Sequence, residues 1–246
     1  MTRRPFIATV GLVFVCCFGF GCNDAPGHPR ESSIPVDPAN VSDFATLFAS
    51  NCSGCHGDQG KGGPATPITD PVYVAIADDT IIRKAVTSGI AGTSMPAFAT
   101  SAGGMLTDKQ IDIIVAGIRE HYAKPAVLAG SSAPPYATAI PGDATRGAAA
   151  YTVFCSSCHG NAGRGGSKAS SIVDGSFLAL LTDQALRTLV IVGRPDFGAP
   201  DWRNNVPGKP MSSQEISDVV AWLSSQRPKF PGQPFPSGTK PAGEVR

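Results

Sequence analysis

Two pentapeptides of one pattern, Cys52-Ser-Gly-Cys55-His56 and Cys155-Ser-Ser-Cys158-His159, constrain this chain more than any other feature. Random placement of 7 Cys and 4 His over 246 residues would give about 0.003 such pentapeptides. The spacing has a chemical reading. Two thiols three positions apart can each form a thioether to one porphyrin, and the His that follows then lies under the ring and ligates its iron. A zinc site would want a second Cys/His pair of comparable spacing nearby, and a redox dithiol would want a βαβ pattern. The sequence offers neither. The expected cofactors are therefore two covalently bound haem c groups, one per pentapeptide.

The remaining cysteines fit an exported chain. Arg3 and Arg4 precede an apolar run from Phe6 to Phe20, which Gly21-Cys22 closes. That run is short for a membrane span and reads as a signal peptide over residues 1–21. A small residue followed by Cys resembles a bacterial lipoprotein signal, so Cys22 is expected to carry lipid and attach the protein to a membrane. Gly19 departs from that pattern, which usually has Leu there. An ordinary signal peptide cleaved nearby, or an uncleaved anchor, is the alternative. Cys16 and Cys17 fall inside the signal, and the other four cysteines belong to the pentapeptides. No thiol is left over for a disulfide.

The pentapeptides head an internal repeat. They are offset by 103 residues, and Gly60-Lys61-Gly62-Gly63 matches Gly163-Arg164-Gly165-Gly166 at the same offset. Asp79, Arg83, Val86 and Gly89 match Asp183, Arg187, Val190 and Gly193 at 104, and Ile111, Ile114, Val115 and Ile118 match Ile216, Val219, Val220 and Leu223 at 105. Each copy reads as helix, pentapeptide, glycine loop, middle helix, loop and final helix. Thr107-x-x-Gln110 and Ser212-x-x-Glu215 predict capping boxes at the final helices, whose apolar positions recur at i, i+3, i+4 and i+7. Phe44, Phe48 and Tyr151 are expected to pack the first helix against the last. The repeat sets the domains: 41–123 and 142–228, joined by a linker over 124–141. A Pro-rich tether over 22–40 precedes them and a flexible tail over 229–246 follows. If extended, the 18 residues from Asn23 to Asn40 would span roughly 55 Å at about 3.1 Å each.

On these motifs the chain resembles class I cytochromes c. The resemblance covers both repeats. It implies an all-α fold: two tandem cytochrome c domains, each a small helical bundle around covalent haem, with first and last helices crossing. Such a domain buries little apolar surface alone, so covalent haem completes its core. It also implies a distal Met in a loop before the last helix, followed by Pro and an aromatic. Met95-Pro96-Ala97-Phe98 fits, so Met95 is the expected sixth ligand beside the iron-binding His56. Met105 is the rival, read as packing. A carbonyl at Pro64 is expected to accept the His56 Nδ1–H, and because Ser167 replaces that proline, His159 must use another carbonyl. The second copy departs further. Gly198-Ala199-Pro200-Asp201-Trp202 keeps the proline and the aromatic, yet Ala199 stands where Met is expected. Met211, Lys209, His121, or no side chain at all remain open as ligand there. Met211 also has a structural reading: it precedes the cap Ser212 and can staple to Ile216, as Leu106 does to Ile111.

The reading that follows is a diheme c-type cytochrome, with Cys52, Cys55, His56, Met95, Cys155, Cys158 and His159 as haem-binding residues. It transfers electrons between redox proteins, such as a quinol-oxidising complex, a terminal oxidase or a dehydrogenase, on the periplasmic side of a bacterial membrane. Nothing resembles a substrate site, so an electron carrier is expected rather than an enzyme. Two alternatives stand: a haem enzyme or a gas or peroxide sensor using an open second haem, and a fixed cytochrome c subunit of a larger oxidoreductase complex. A net charge of +1 gives no reason to expect a nucleic-acid partner.

Overall fold

In the computed structural model, residues 35–229 are described, and ten α-helices with no strand are found among them. The signal peptide, Cys22, most of the tether and nearly all of the tail lie outside the described residues. The described residues from Ala39 onward form one compact unit containing both repeats. The first repeat has α1 (Phe44–Asn51), α2 (Ser53–His56), α3 (Pro71–Ile76), α4 (Asp79–Ser88) and α5 (Asp108–Tyr122). The second has α6 (Ala144–Phe154), α7 (Ser156–His159), α8 (Gly175–Ala179), α9 (Asp183–Val192) and α10 (Ser213–Ser225).

Local chemistry sets the helix starts. Both expected capping boxes are formed, Thr107 with Gln110 and Ser212 with Glu215. Asp43 and Asp143 cap the first helices of the two repeats, and Asp78 and Thr182 cap the middle ones. Helices α3 and α8 were not foreseen from periodicity. At six and five residues they show too little of a repeat, and their signal is the cap: Asp70 followed by Pro71 at the first helical position, and Asp174.

The first and last helices of each repeat cross where a glycine meets an aromatic. A Cβ added to Gly117 of α5 would overlap the Phe44 ring of α1. In the second repeat the partners exchange. A Cβ added to Gly147 of α6 would overlap the backbone of Asp218 and approach Trp222 Cβ to 2.7 Å. Gly147 stands at the position of Phe44, and Trp222 at that of Gly117. One bulky and one absent side chain are thus kept at each crossing on opposite helices. Trp222 also packs on Tyr151, ring centroids 4.4 Å apart, so Tyr151 joins first helix to last as expected. A further tie recurs without aligning. Arg119 of α5 donates to the carbonyls of Val74 and Ala77 and pairs with Asp79. Arg227, beyond α10, does the same to Leu178, Leu181 and Asp183.

The linker is docked rather than free. Buried Arg187 donates to the carbonyls of Pro135 and Tyr136, and Gln184 donates to Tyr136. Met105, expected to pack, is 80% exposed.

The crossing generates a direct test. Gly117→Trp alone should overpack the first repeat and cost about 3 kcal/mol. Adding Phe44→Gly recreates the pair that the second repeat uses, so the double variant should recover most of that loss. Thermal unfolding of both singles and the double measures the coupling; additive effects would contradict it.

Candidate functional site

Each pentapeptide begins at the end of a first helix. Cys52 ends α1, its N–H donating to the Phe48 carbonyl, and its own carbonyl accepts from the His56 N–H. Cys155 does the same with Tyr151 and His159. This opens a four-residue helix that brings the second thiol and the His onto the next turn. All four cysteines are unpaired thiols; Cys52 is buried and Cys55 exposed. Burial, and then the neighbouring Cys55, push the Cys52 thiol up to about 11. The same causes, with Cys158, take Cys155 to about 12.

The helix must then reverse sharply. Gly57 and Gly160 do this at φ 89° and 72°, where a Cβ would overlap the carbonyls of Lys61 and Gly165. The loops return a carbonyl to each imidazole. His56 Nδ1 lies 2.7 Å from the Thr66 carbonyl oxygen, and His159 Nδ1 lies 2.9 Å from that of Ser170. The expected acceptor at Pro64 is therefore corrected to Thr66. The Ala65 N–H binds the Cys55 carbonyl, so the chain turns inward one residue too late for Pro64 to reach. Thr66 and Ser170 are themselves 104 apart, so the repeat offset was the usable signal. His56 is 8% exposed. Burial pulls its pKa below the usual histidine range, the Thr66 carbonyl opposes this, and the Arg194 guanidinium adds to the lowering.

The distal loops correspond closely. The Ile90 N–H donates to the Met95 carbonyl at 3.1 Å, and the Arg194 N–H to the Ala199 carbonyl at 3.0 Å. A Cβ on Gly89 would approach Met95 and Pro96 to 2.7 Å; one on Gly193 would approach Ala199 equally and overlap Pro200. Ala199 therefore occupies the backbone position of Met95. The Met95 N–H is held by Thr93 Oγ1 at 3.1 Å, a contact no motif announced. The other proposed ligands of the second copy have separate occupations. His121 stacks on Phe44 in the first repeat, and the Lys209 ammonium lies over the Phe154 ring.

Arg194 and Asp196 also hold the repeats together, which the sequence did not signal. Asp196 pairs with Arg194 at 2.7 Å and accepts the Gly62 N–H at 2.7 Å. Arg194 donates to the Gly63 carbonyl at 2.7 Å. The glycine loop beside His56 is thereby gripped by the loop that leads to Ala199.

The donor sets fit haem c: two free thiols a turn apart, and an imidazole whose Nδ1 is committed to a carbonyl while its Nε2 is left for iron. A family model described as cytochrome c oxidase, cbb3-type, subunit III matches residues 39–116 and 142–223. The chain belongs to this family and is a class I c-type cytochrome. Domains of this class carry covalently bound haem c. Among solved structures, the c-type cytochrome KustC0563 is 23% identical over 33% of this chain and 99% of its own, with a TM-score of 0.29. The Kuenenia stuttgartiensis reducing HAO-like protein complex Kustc0457/Kustc0458 is 16% identical over 79% of this chain and 100% of its own, with a TM-score of 0.43. Dihydro-haem d1 dehydrogenase NirN, in complex with DHE, is 23% identical over 38% of this chain, with a TM-score of 0.28; the match spans 17% of that protein. All three scores lie below 0.5, so membership rests on the family match.

The grip on the glycine loop has a pH signature. Hydrogen bonds from Arg194, and then the Gly62 N–H, hold the Asp196 carboxyl below the usual carboxylate range against the opposing effect of burial. A depressed folded-state value means that the stabilisation is full above the unfolded value and fades as pH falls through the folded one. The contact should be complete above the ordinary carboxylate range and weaken only as pH falls below it. Asp196→Ala should cost about 3 kcal/mol at neutral pH by stranding Arg194. It should also raise amide hydrogen exchange at Gly62. Unchanged exchange there would contradict the assignment.

Proposed function

We propose that the protein is an exported two-haem electron-transfer protein, with one haem c in each repeat. Cys52 and Cys55 hold the first and Cys155 and Cys158 the second, with His56 and His159 as the iron ligands of the two pentapeptides. One observation carries this reading: two free thiols and an imidazole oriented by a carbonyl recur in both repeats, the carbonyl lying 10 residues after the first imidazole and 11 after the second. Bound there, haem supplies an iron that passes one electron at a time. The residues supply the rest. The Thr66 and Ser170 carbonyls fix the ring planes and raise the basicity of the distal nitrogens. Met95, propped by Thr93, gives the first site a thioether that favours the reduced state and a high potential. Covalent attachment fills each small core.

Electrons are exchanged with redox proteins. Among the described residues, no helix is long and apolar enough to cross a membrane. The apolar run ending at Gly21-Cys22 supports export and a lipid on Cys22, which would hold both repeats at a membrane surface. The description of the matching family supports a second reading, a fixed electron-entry subunit of a larger oxidoreductase. Co-purification with membrane oxidoreductase subunits would favour it; recovery as a single species would favour a carrier.

A pyridine haemochrome assay should find two haems per chain, and Cys155→Ala with Cys158→Ala should leave one. Met95→Ala should remove the sulfur-to-iron charge-transfer band and lower the first potential by a sizeable part of the roughly 0.8 V that axial ligands span. A protein with one haem, or a Met95→Ala variant with unchanged spectra, would overturn the respective assignment.

A further inference from the structure

We propose that the second repeat offers its iron no side-chain ligand opposite His159, and that this face takes a small uncharged diatomic molecule such as CO or NO. The inference rests on the reading of His159 as an iron ligand. Its first ground is the place of Ala199. The Arg194-to-Ala199 hydrogen bond and the packing of Gly193 match those of Ile90, Met95 and Gly89, so the loop keeps its path and loses only the side chain. Methionine to alanine removes Cγ, Sδ and Cε, which leaves room for two or three atoms.

The second ground is Met211, the one methionine after Ala199. It holds the position of Leu106. The Leu106 N–H donates to the Phe98 carbonyl at 2.7 Å, and the Met211 N–H to the Trp202 carbonyl at 2.9 Å. Both side chains are buried, at 4% and 2% exposure, directly before a capping box. A leucine does this work in the first repeat, so the thioether has a packing role. Its sulfur also accepts a hydrogen bond from Asn205 Nδ2 at 3.7 Å. Bringing Met211 to the iron would break both contacts and empty a core position.

Charge selects the class of ligand. The guanidinium nearest in sequence, Arg203, is committed to Asp201, the Val127 carbonyl and the Trp202 ring. Arg194 is committed to Asp196, the Gly63 carbonyl and the Phe197 ring, and Lys209 lies over Phe154. None of the three is left to hold an anion over Ala199. An uncharged diatomic needs no counter-ion and matches the volume.

The test uses the full two-haem protein. Reduced with dithionite and titrated with CO, it should bind one CO per two haems, and the oxidised protein should show a high-spin ferric EPR signal from half its iron. Ala199→Met should abolish CO uptake and the high-spin signal. Met211→Leu and Lys209→Ala should leave both unchanged. No CO uptake by a protein carrying two haems would overturn this inference alone, as would CO uptake that survives Ala199→Met or a high-spin signal altered by Met211→Leu. A protein carrying one haem would overturn the proposed function with it.

Discussion

The crossing of first and last helices sets everything else in each repeat. A helix pair approaches this closely only where one partner has no side chain. Phe44 against Gly117 and Trp222 against Gly147 are two solutions of that one requirement. The crossing lies at the start of the first helix, at Phe44 and Gly147, and the first cysteine of each pentapeptide ends that helix. The thiols, the imidazole and the glycine reversal follow in order along the chain. The helix that leads into each pentapeptide is thus held by a contact that involves neither a thiol nor an imidazole.

Duplication has preserved functions more faithfully than positions. Thr66 and Ser170 present only backbone carbonyls, so the side chains were free to differ. Arg119 and Arg227 reach the same three acceptors from places 108 residues apart, in a repeat whose last helices are otherwise offset by 105. A long side chain can reach a fixed cluster of carbonyls from more than one turn, which loosens its register. The distal loop shows the opposite outcome: its backbone is retained while the methionine side chain gives way to Ala199.

Much of this was legible in the residues. The pentapeptides, the capping boxes and the offset repeat gave an all-α pair of domains, because each rests on interactions within a few residues. The family match agrees with that architecture. Periodicity failed at α3 and α8, which are too short to show it. The Pro64 acceptor failed by two residues, since the path of a glycine loop is not encoded in spacing. The docked linker and the Arg194–Asp196 grip were out of reach. They join a side chain to a backbone group 48 or more residues away, and backbone groups leave no mark in a sequence.

The grip on Gly62 and Gly63 is one-sided. All of its side chains come from the second repeat, and the first contributes only an N–H and a carbonyl. Where the second repeat has Arg194 and Asp196, the first has Ile90 and Gly92. The joint is therefore heterologous, head to tail, with different surfaces on its two sides. In the second repeat the Gly165 N–H, at the position of Gly62, already donates to the His159 carbonyl at 2.8 Å, so that loop has no amide left for a second grip of this kind. The clasp therefore runs one way, from the second repeat to the first.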